Sequence, residues 1–198
     1  MRKTLVLGAV LVGSILISGA KAQALTINPQ IGVNTSILSN DPGNHTSNAR
    51  VGWQVGGYLR FDDQKRLYIQ PGIFWHNVGT EVETKNQITQ ETQTFQNSVH
   101  SIQIPVVAGF NLVDGGSVDL RLQAGTAIDF ITSVDDNNYF TQDDLESNYW
   151  SFKFALGVDL SILSFDLGYD LGMSNYFVDE RGNDGKMSGW FLNAGVRF

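Results

Sequence analysis

The chain has 198 residues, with 13 basic against 20 acidic side chains and a formal net charge of −7, so it is long enough for a single domain and unsuited to a nucleic-acid partner. It contains no cysteine, which excludes disulfides and thiolate metal sites. Its 21 glycines against 4 prolines favour a protein of strands and turns over a proline-rich linker.

The N-terminus has the features of a secretory signal peptide. Two basic residues precede a short apolar segment at 5–17, and Ala20 and Ala22 occupy the small-residue positions of a cleavage site. We therefore expect residues 1–22 to be a signal peptide and residues 23–198 to form an exported outer-membrane β-barrel. A membrane anchor is the alternative, but the apolar segment is shorter than the ~20 residues of a spanning helix.

Beyond residue 22 the dominant pattern places apolar residues at every second position. Because successive side chains of a strand point to opposite faces, such a run predicts a strand with one apolar and one polar face. Each run has about the ~9–11 residues that a tilted membrane strand requires. In chain order the runs are 25–34, 50–61, 67–76, 101–110, 118–130, 149–160, 164–173 and 189–198.

The connections between these runs alternate in length. Tight turns are predicted at 62–65, 114–116 and 161–162, and the longer polar connections fall near 39–49, 79–98, 132–147 and 177–187. Outer-membrane barrels have this asymmetry, with short periplasmic turns and longer extracellular loops. The pattern predicts an all-β fold, an eight-stranded antiparallel up-and-down transmembrane β-barrel in the cell outer membrane, with the lipid bilayer around it.

Aromatic residues indicate which face of the barrel points outward. A soluble lipocalin-like barrel puts its apolar face inside, whereas a membrane barrel puts it outside and carries aromatic girdles at both interfaces. Here the tryptophans of the apolar face fall beside the longer connections, and phenylalanines of the same face fall at the opposite strand ends. The predicted membrane-interface girdle consists of Trp53, Trp75, Trp150, Trp190, Phe61, Phe110, Phe165 and Phe198. The competing interpretation, the core of a β-sandwich, predicts aromatics scattered along the strands.

The polar face carries charges of both signs in equal number. The predicted lumen charges are Arg50, Arg60, Asp119, Arg121, Asp129, Lys153, Asp159, Asp166, Asp170 and Arg197. Buried charges are costly unless paired, and an eight-stranded lumen has room only for side chains. We therefore expect ion pairs that fill the lumen and leave no channel. The alternative is a solvated surface on which the charges balance by chance.

No set of residues predicts catalysis, a cofactor or a metal site. His45 falls in a connection, His76 on the lumen face and His100 on the lipid face, so we do not expect them to converge with a serine or a pair of aspartates. The acidic stretch within 132–147 lacks the spacing of a calcium-binding loop and is interpreted as a solvated segment rather than a cation site. The expected protein is not an enzyme.

Several segments resemble a known class of membrane protein. The stretches 101–107 (SIQIPVV), 122–125 (LQAG) and 165–169 (FDLGY), together with Phe198, resemble the PorT-like small outer-membrane β-barrel proteins of Bacteroidetes, and more distantly the OmpA-type barrel. The resemblance implies a porin-like fold in the cell envelope, whose last strand, here with Trp190 and Phe198, is read by the outer-membrane assembly machinery. It implies no catalytic residues. Within these segments, Pro105 predicts an interrupted ladder or a bulge.

The expected function is a non-catalytic structural or interaction role. Envelope integrity, adhesion or docking, and support of a secretion system all fit, with an extracellular or envelope protein as a possible partner. Two alternatives stay open, a soluble secreted lipocalin-like ligand-binding barrel and an outer-membrane barrel enzyme.

Overall fold

The computed structural model describes residues 24–40, 50–62, 66–85, 92–134, 148–174 and 185–198, which form a closed β-barrel. Its strands are β1 (Ala24–Asn40), β2 (Arg50–Asp62), β3 (Leu67–Lys85), β4 (Thr92–Asp114), β5 (Val118–Val134), β6 (Asn148–Leu160), β7 (Leu163–Gly172) and β8 (Gly185–Val196). Each strand is antiparallel to the next, and β8 pairs with β1. The predicted all-β, eight-stranded antiparallel barrel is confirmed. None of the described residues belongs to a helix long and apolar enough to cross a membrane.

Burial is inverted relative to a soluble barrel. In β6 the side chains alternate between exposed and buried, so that Phe152 and Phe154 face outward whereas Ser151 and Lys153 are buried. The largest fully buried side chains of the barrel are mainly polar and include Arg121, Gln54, Gln70, Asn28 and Asn193. A barrel with an apolar exterior and a polar interior suits a lipid environment and is the reverse of a lipocalin-like binder.

The two ends of the barrel differ in their connections. We call the end that carries residues 115–117 and 161–162 the turn end, and the opposite end the loop end. At the turn end, Ser161 and Gly116 have φ angles of 56° and 75°. Positive φ suits glycine but is uncommon for serine, and it allows the chain to reverse within two residues between β6 and β7.

The loop end corrects the predicted boundaries of the strands. β3 continues to Lys85 and β4 begins at Thr92, so most of the predicted 79–98 loop is a two-stranded ribbon. Strands β1, β5 and β8 also extend into the predicted loops. A loop was predicted at 79–98 because the segment is polar. That prediction was wrong, because a ribbon outside the bilayer does not need an apolar face. The connections 41–49, 86–91, 135–147 and 175–184 lie outside the described residues, as do the signal peptide with Ala20 and Ala22, His45 and the acidic stretch.

Pro105 interrupts one ladder of its strand, as predicted. The β3–β4 register passes from Pro71↔Val106 to Phe74↔Gln103 without assigned pairs between, whereas on the β5 side Pro105 remains opposite Ala127. Proline has no N–H to give to a ladder, so one neighbouring strand loses its bonding there. The β4–β5 ladder is itself irregular at His100/Ser101 and at Asn111/Val113.

Interior glycines make room for interior aromatic rings. A Cβ atom on Gly109 would collide with the ring of Tyr68, and one on Gly168 would collide with the ring of Phe191. Such contacts explain why glycines recur on the polar face of the strands, since a narrow lumen accepts a large ring only where the facing residue has no side chain.

Candidate functional site

An ion-pair cluster fills the turn half of the lumen. Its centre is Asp159, which contacts Arg60 Nη1 through Oδ2 at 3.0 Å and Arg121 Nη2 through Oδ1 at 2.7 Å. Arg197 also pairs with Asp159 Oδ2, and Arg121 Nη2 reaches Asp166 Oδ1 at 3.0 Å. We call Arg60, Asp119, Arg121, Asp159, Asp166 and Arg197 the turn-end charge cluster. Three arginines offset three aspartates, which is the balance that burial of charge demands.

A second polar cluster lies in the loop half. Lys153 Nζ is 2.8 Å from Asp170 Oδ2 and 3.8 Å from the centre of the Phe191 ring. The amide of Gln103 donates to Asp129 Oδ2 at 3.0 Å and to Asp170 Oδ2 at 3.5 Å, and so joins the two carboxylates. We call His76, Gln103, Asp129, Lys153 and Asp170 the loop-end polar cluster.

A chain of side-chain amides connects the two halves. Asn34 Nδ2 donates to Gln54 Oε1 at 3.4 Å, and Gln54 Nε2 donates to Asn193 Oδ1. Asn193 Nδ2 then donates to Gln30 Oε1 at 3.1 Å, and Gln30 Nε2 donates to Asp166 Oδ2 at 2.7 Å. We call Asn34, Gln54, Asn193 and Gln30 the amide chain. It runs across the lumen from the loop half to the turn-end charge cluster.

A cavity of about 40 Å³ opens in the loop half. Its lining includes Asn34, His76, Gln103, Asp129 and Asp170. Cavities above about 10–15 Å³ hold a water, so this loop-end cavity has room for a few waters or one small ligand.

The histidines were not expected to converge with a serine or a pair of aspartates, but the structure brings His76 close to one serine and one aspartate. His76 Nδ1 lies 3.8 Å from Asp129 Oδ1, and Ser101 Oγ donates to that same oxygen at 3.4 Å. These side chains come from three strands, β3, β4 and β5, and all point into the lumen. Their spacing along the chain does not reveal that they meet. In a nucleophilic relay the serine bonds the histidine, and the histidine bonds the acid. Here His76 and Ser101 both contact Asp129, and the serine does not bond the histidine, so the arrangement is not a nucleophilic relay.

Ser151 does not supply the missing nucleophile. It lines the same cavity as His76, but within the described residues neither Ser151 Oγ nor His76 Nε2 has a hydrogen-bond partner, so they are not bonded to each other. His100 lies half-buried, with its ring 6.0 Å from that of Trp75.

Most of the predicted lumen charges lie inside the barrel. Arg60, Arg121, Asp129, Lys153, Asp159 and Asp166 are buried, and Asp119, Asp170 and Arg197 are half-buried. Arg50 belongs to β2, but its side chain lies outside the described part of the structure. The geometry divides the set into the two clusters above, a division that the sequence pattern did not predict.

The predicted girdle residues lie on the outer surface, but not all of them lie at strand ends. Trp53, Trp75, Trp150 and Trp190 are 41–55% exposed, and Phe110, Phe165 and Phe198 are exposed, whereas Phe61 is half-buried. Trp75 was predicted at a strand end, but β3 continues beyond it to Lys85 because the ribbon extends the strand.

Sequence analysis missed the interior amides and aromatics. The amides occupy the same alternate positions as the charges, so the polar face of each predicted strand could have identified them. The missed residues are Asn28, Gln30, Asn34, Gln54, Gln70, Gln103, Gln123, Asn193, Tyr58, Tyr68, Phe74 and Phe191.

The fold and the polarity of its two faces define an outer-membrane β-barrel protein. Residues 21–178 match the family described as outer membrane protein beta-barrel domain, and the chain belongs to this family. It is located in the cell outer membrane, with its apolar surface in the lipid bilayer.

Two solved structures share the fold. OprG from Pseudomonas aeruginosa superposes with a TM-score of 0.56 at 11% identity, covering 88% of this chain and 95% of that chain. Neisserial surface protein A superposes with a TM-score of 0.50 at 15% identity, covering 86% of this chain and 95% of that chain. At these identities the similarity concerns the fold alone. No curated protein is significantly similar in sequence.

Proposed function

We propose that this barrel neither conducts nor catalyses, and that it acts by docking another protein at its loop end. The partner is an envelope or extracellular protein, and the role is in envelope integrity, adhesion or support of a secretion system. The proposal includes the closer relationship to PorT-like barrels of Bacteroidetes that the sequence resemblance implies.

The observation that carries this proposal is the ribbon formed by residues 79–85 and 92–98. The β2–β3 register ends at Trp53↔Asn77 and the β4–β5 register ends at Val99↔Val134, whereas β3 and β4 remain paired from Gly79↔Ser98 to Lys85↔Thr92. At ~3.3 Å per residue these pairs extend about 20 Å beyond the neighbouring strands. Within the described residues neither strand of the ribbon pairs with a further strand, and an unpaired edge is a template for strand addition by a partner.

The closed lumen supports a role without transport. Side chains of Gln54, Gln70 and Arg121 are fully buried inside a barrel whose strand number leaves room only for side chains. We propose that the predicted lumen charges serve as a plug, with the turn-end charge cluster as its tightest part.

Targeting and anchoring form a further part of the proposal. Residues 1–22 would direct export and be cleaved after Ala22, and the girdle residues would hold the barrel at both interfaces. Phe198 donates to Ile27 O at 2.9 Å and accepts from Ile27 N at 3.1 Å, which extends the β1–β8 seam to the turn end. From the resemblance to this class of barrel, we propose that Trp190 and Phe198 on this last strand are the residues that the assembly machinery reads.

Shortening the ribbon tests the docking function. In the variant, residues 81–96 are replaced by Asn-Gly, a two-residue turn suited to close the Thr80↔Asn97 pair. A matched control inserts a flexible peptide between Gly115 and Gly116, at the turn end. Both variants are expressed in cells that lack the native protein, and the folded, heat-modifiable form is quantified in outer membranes.

A photo-crosslinking residue at Thr84 should give a discrete adduct in living cells, and one at Ser117 should not. The shortened variant should reach normal membrane levels yet fail to restore the phenotype of the deletion, whereas the turn-end control restores it. Full restoration by the shortened variant would overturn docking through the ribbon.

A further inference from the structure

We propose that the loop-end cavity binds a small ammonium-type cation, either the ammonium ion or the head group of a small primary amine. This inference concerns the lumen and is independent of docking at the ribbon.

The cavity presents lone pairs that have no donor. Within the described residues, Gln103 Oε1, Asp170 Oδ1, Asn34 Oδ1 and His76 Nε2 have no hydrogen-bond partner, and all four residues line the cavity. Asn34, His76 and Gln103 are more than nine-tenths buried. A buried acceptor without a donor costs about 1–3 kcal/mol, so four of them around one space call for a ligand that donates.

The orientation of Gln103 and His76 is fixed by their other contacts. The amide nitrogen of Gln103 is engaged by Asp129 and Asp170, so only its oxygen is left for the cavity. His76 Nδ1 lies 3.8 Å from Asp129 Oδ1, too far for a hydrogen bond, but a nearby carboxylate favours the tautomer that carries its proton on Nδ1 and leaves Nε2 as an acceptor.

The orientation of Asn34 is fixed from the far end of the amide chain. An ionised carboxylate only accepts, so Asp166 requires the amide nitrogen of Gln30, and each successive amide must then donate in the same direction. The direction leaves Asn34 with its nitrogen on Gln54 and its oxygen without a donor.

The turn half has the opposite character. Most of the unpaired buried atoms there are donors: Arg60 Nη2, Arg121 Nε and Nη1, Arg197 Nε, Gln70 Nε2 and Asn28 Nδ2. If unpaired groups were simply common throughout the lumen, both halves would contain the same mixture of unpaired donors and acceptors. The concentration of acceptors at the loop-end cavity therefore points to a cationic donor in that half.

Charge and shape select an ammonium group. Among the described residues, Asp129 pairs with no lysine or arginine, so with Asp129 and Asp170 ionised and His76 neutral the loop-end polar cluster has one negative charge in excess of Lys153. No group of histidine, cysteine or acidic residues in the described structure is arranged to hold a metal ion. Ammonium has four N–H donors, which match four acceptors, and Phe191, which is buried inside the lumen, also lines the space.

Lys153 provides an internal example of the same recognition. Its ammonium group lies between Asp170 Oδ2 and the face of Phe191. The cavity offers the other oxygen of Asp170 together with the same ring. A volume of about 40 Å³ has room for ammonium or for a group about the size of methylammonium.

Ion titrations of the folded barrel in detergent micelles test the inference. The side-chain amide signals of Asn34 and Gln103 are followed by ¹H–¹⁵N NMR while ammonium, methylammonium, sodium or tetramethylammonium chloride is added at constant ionic strength. We expect saturable shifts with the first two salts and none with the last two. Equal saturation with sodium, or shifts that grow linearly with every salt, would overturn an ammonium site.

Matched variants locate the site. Asp129→Asn, which keeps the shape but removes the charge, should weaken ammonium binding at least ~10-fold, the effect of about 1.4 kcal/mol. Asp119→Asn, in the turn-end charge cluster, should leave it unchanged. Asn34→Leu provides a second test if Asp129→Asn does not fold, and is followed through Gln103. Undiminished binding in a folded loop-half variant, or an equal loss in Asp119→Asn, would contradict the location.

Discussion

Gln30 Nε2 donates a 2.7 Å hydrogen bond to Asp166 Oδ2, and this contact determines the direction of the whole amide chain. The other oxygen of Asp166, Oδ1, accepts hydrogen bonds from Arg121 Nη2 at 3.0 Å and from Gln123 Nε2 at 2.8 Å. The carboxylate thus anchors both the turn-end charge cluster and the chain that leads to the loop-end cavity. The two halves of the lumen are therefore one hydrogen-bonded interior.

Breaking the amide chain at its anchor should destabilise the barrel. Gln30→Met preserves most of the side-chain volume but leaves Asp166 Oδ2 and the amide of Asn193 without their partner. We expect a loss of about 1–3 kcal/mol in the free energy of unfolding, the cost of an unsatisfied buried polar group. Urea titration in micelles measures it. The neighbouring lipid-facing change Ile31→Met is the control, and equal losses in the two variants would contradict a stabilising role for the chain.

Removing the central arginine, Arg121, should lower the free energy of unfolding by more than Gln30→Met does. Arg121 is fully buried between Asp159 and Asp166, so Arg121→Met leaves two carboxylates without their shared cation. A loss of about 3–5 kcal/mol is expected, as for other buried pairs that lose one partner. Arg197→Met should cost less, because the Arg197 side chain is 24% exposed and water can replace it. Adding Asp166→Asn to Arg121→Met should recover part of the stability, and an unchanged double variant would argue against charge as the cause.

Filling an interior glycine should also destabilise the barrel. Gly109→Ala places a methyl group against the ring of Tyr68, which itself lies 4.6 Å from the guanidinium of Arg60. Overpacking of this kind costs about 1–3 kcal/mol. Ala108→Val, on the outer face one residue away, meets lipid and should be close to neutral. If the two variants have the same stability in urea titrations, the ring does not require the glycine.

The plugged lumen predicts the absence of a pore. Purified, folded protein in planar bilayers should give no large, steady conductance, because side chains of the turn-end charge cluster occupy the lumen. Arg121→Ala, which opens space at the tightest part, should give brief openings where the native protein gives none. Porin-like currents from the native protein would contradict the plug.

Period-two alternation was sufficient to predict the strands, their order and their outward apolar face, because lipid on one side and a narrow lumen on the other impose opposite demands on alternate residues. The ribbon at 79–98 was missed because that constraint ends where the chain leaves the bilayer. The contacts inside the lumen were not predictable for another reason. Whether Asp129 meets His76, or Asp166 meets Gln30, depends on the register and stagger of strands distant in sequence, and the alternation of a single strand contains neither.

The most direct test of the account is the direction in which the side chains of β6 point in a bilayer. The native chain has no cysteine, so a nitroxide can be attached to one introduced cysteine at a time. In reconstituted membranes, oxygen accessibility should be high at Phe152, Phe154 and Leu156 and low at Ser151 and Ala155, repeating with a period of two. High accessibility at Ser151 and Ala155 with low accessibility at the aromatic positions, or no alternation along the strand, would contradict a barrel with its apolar face in lipid and its polar network inside.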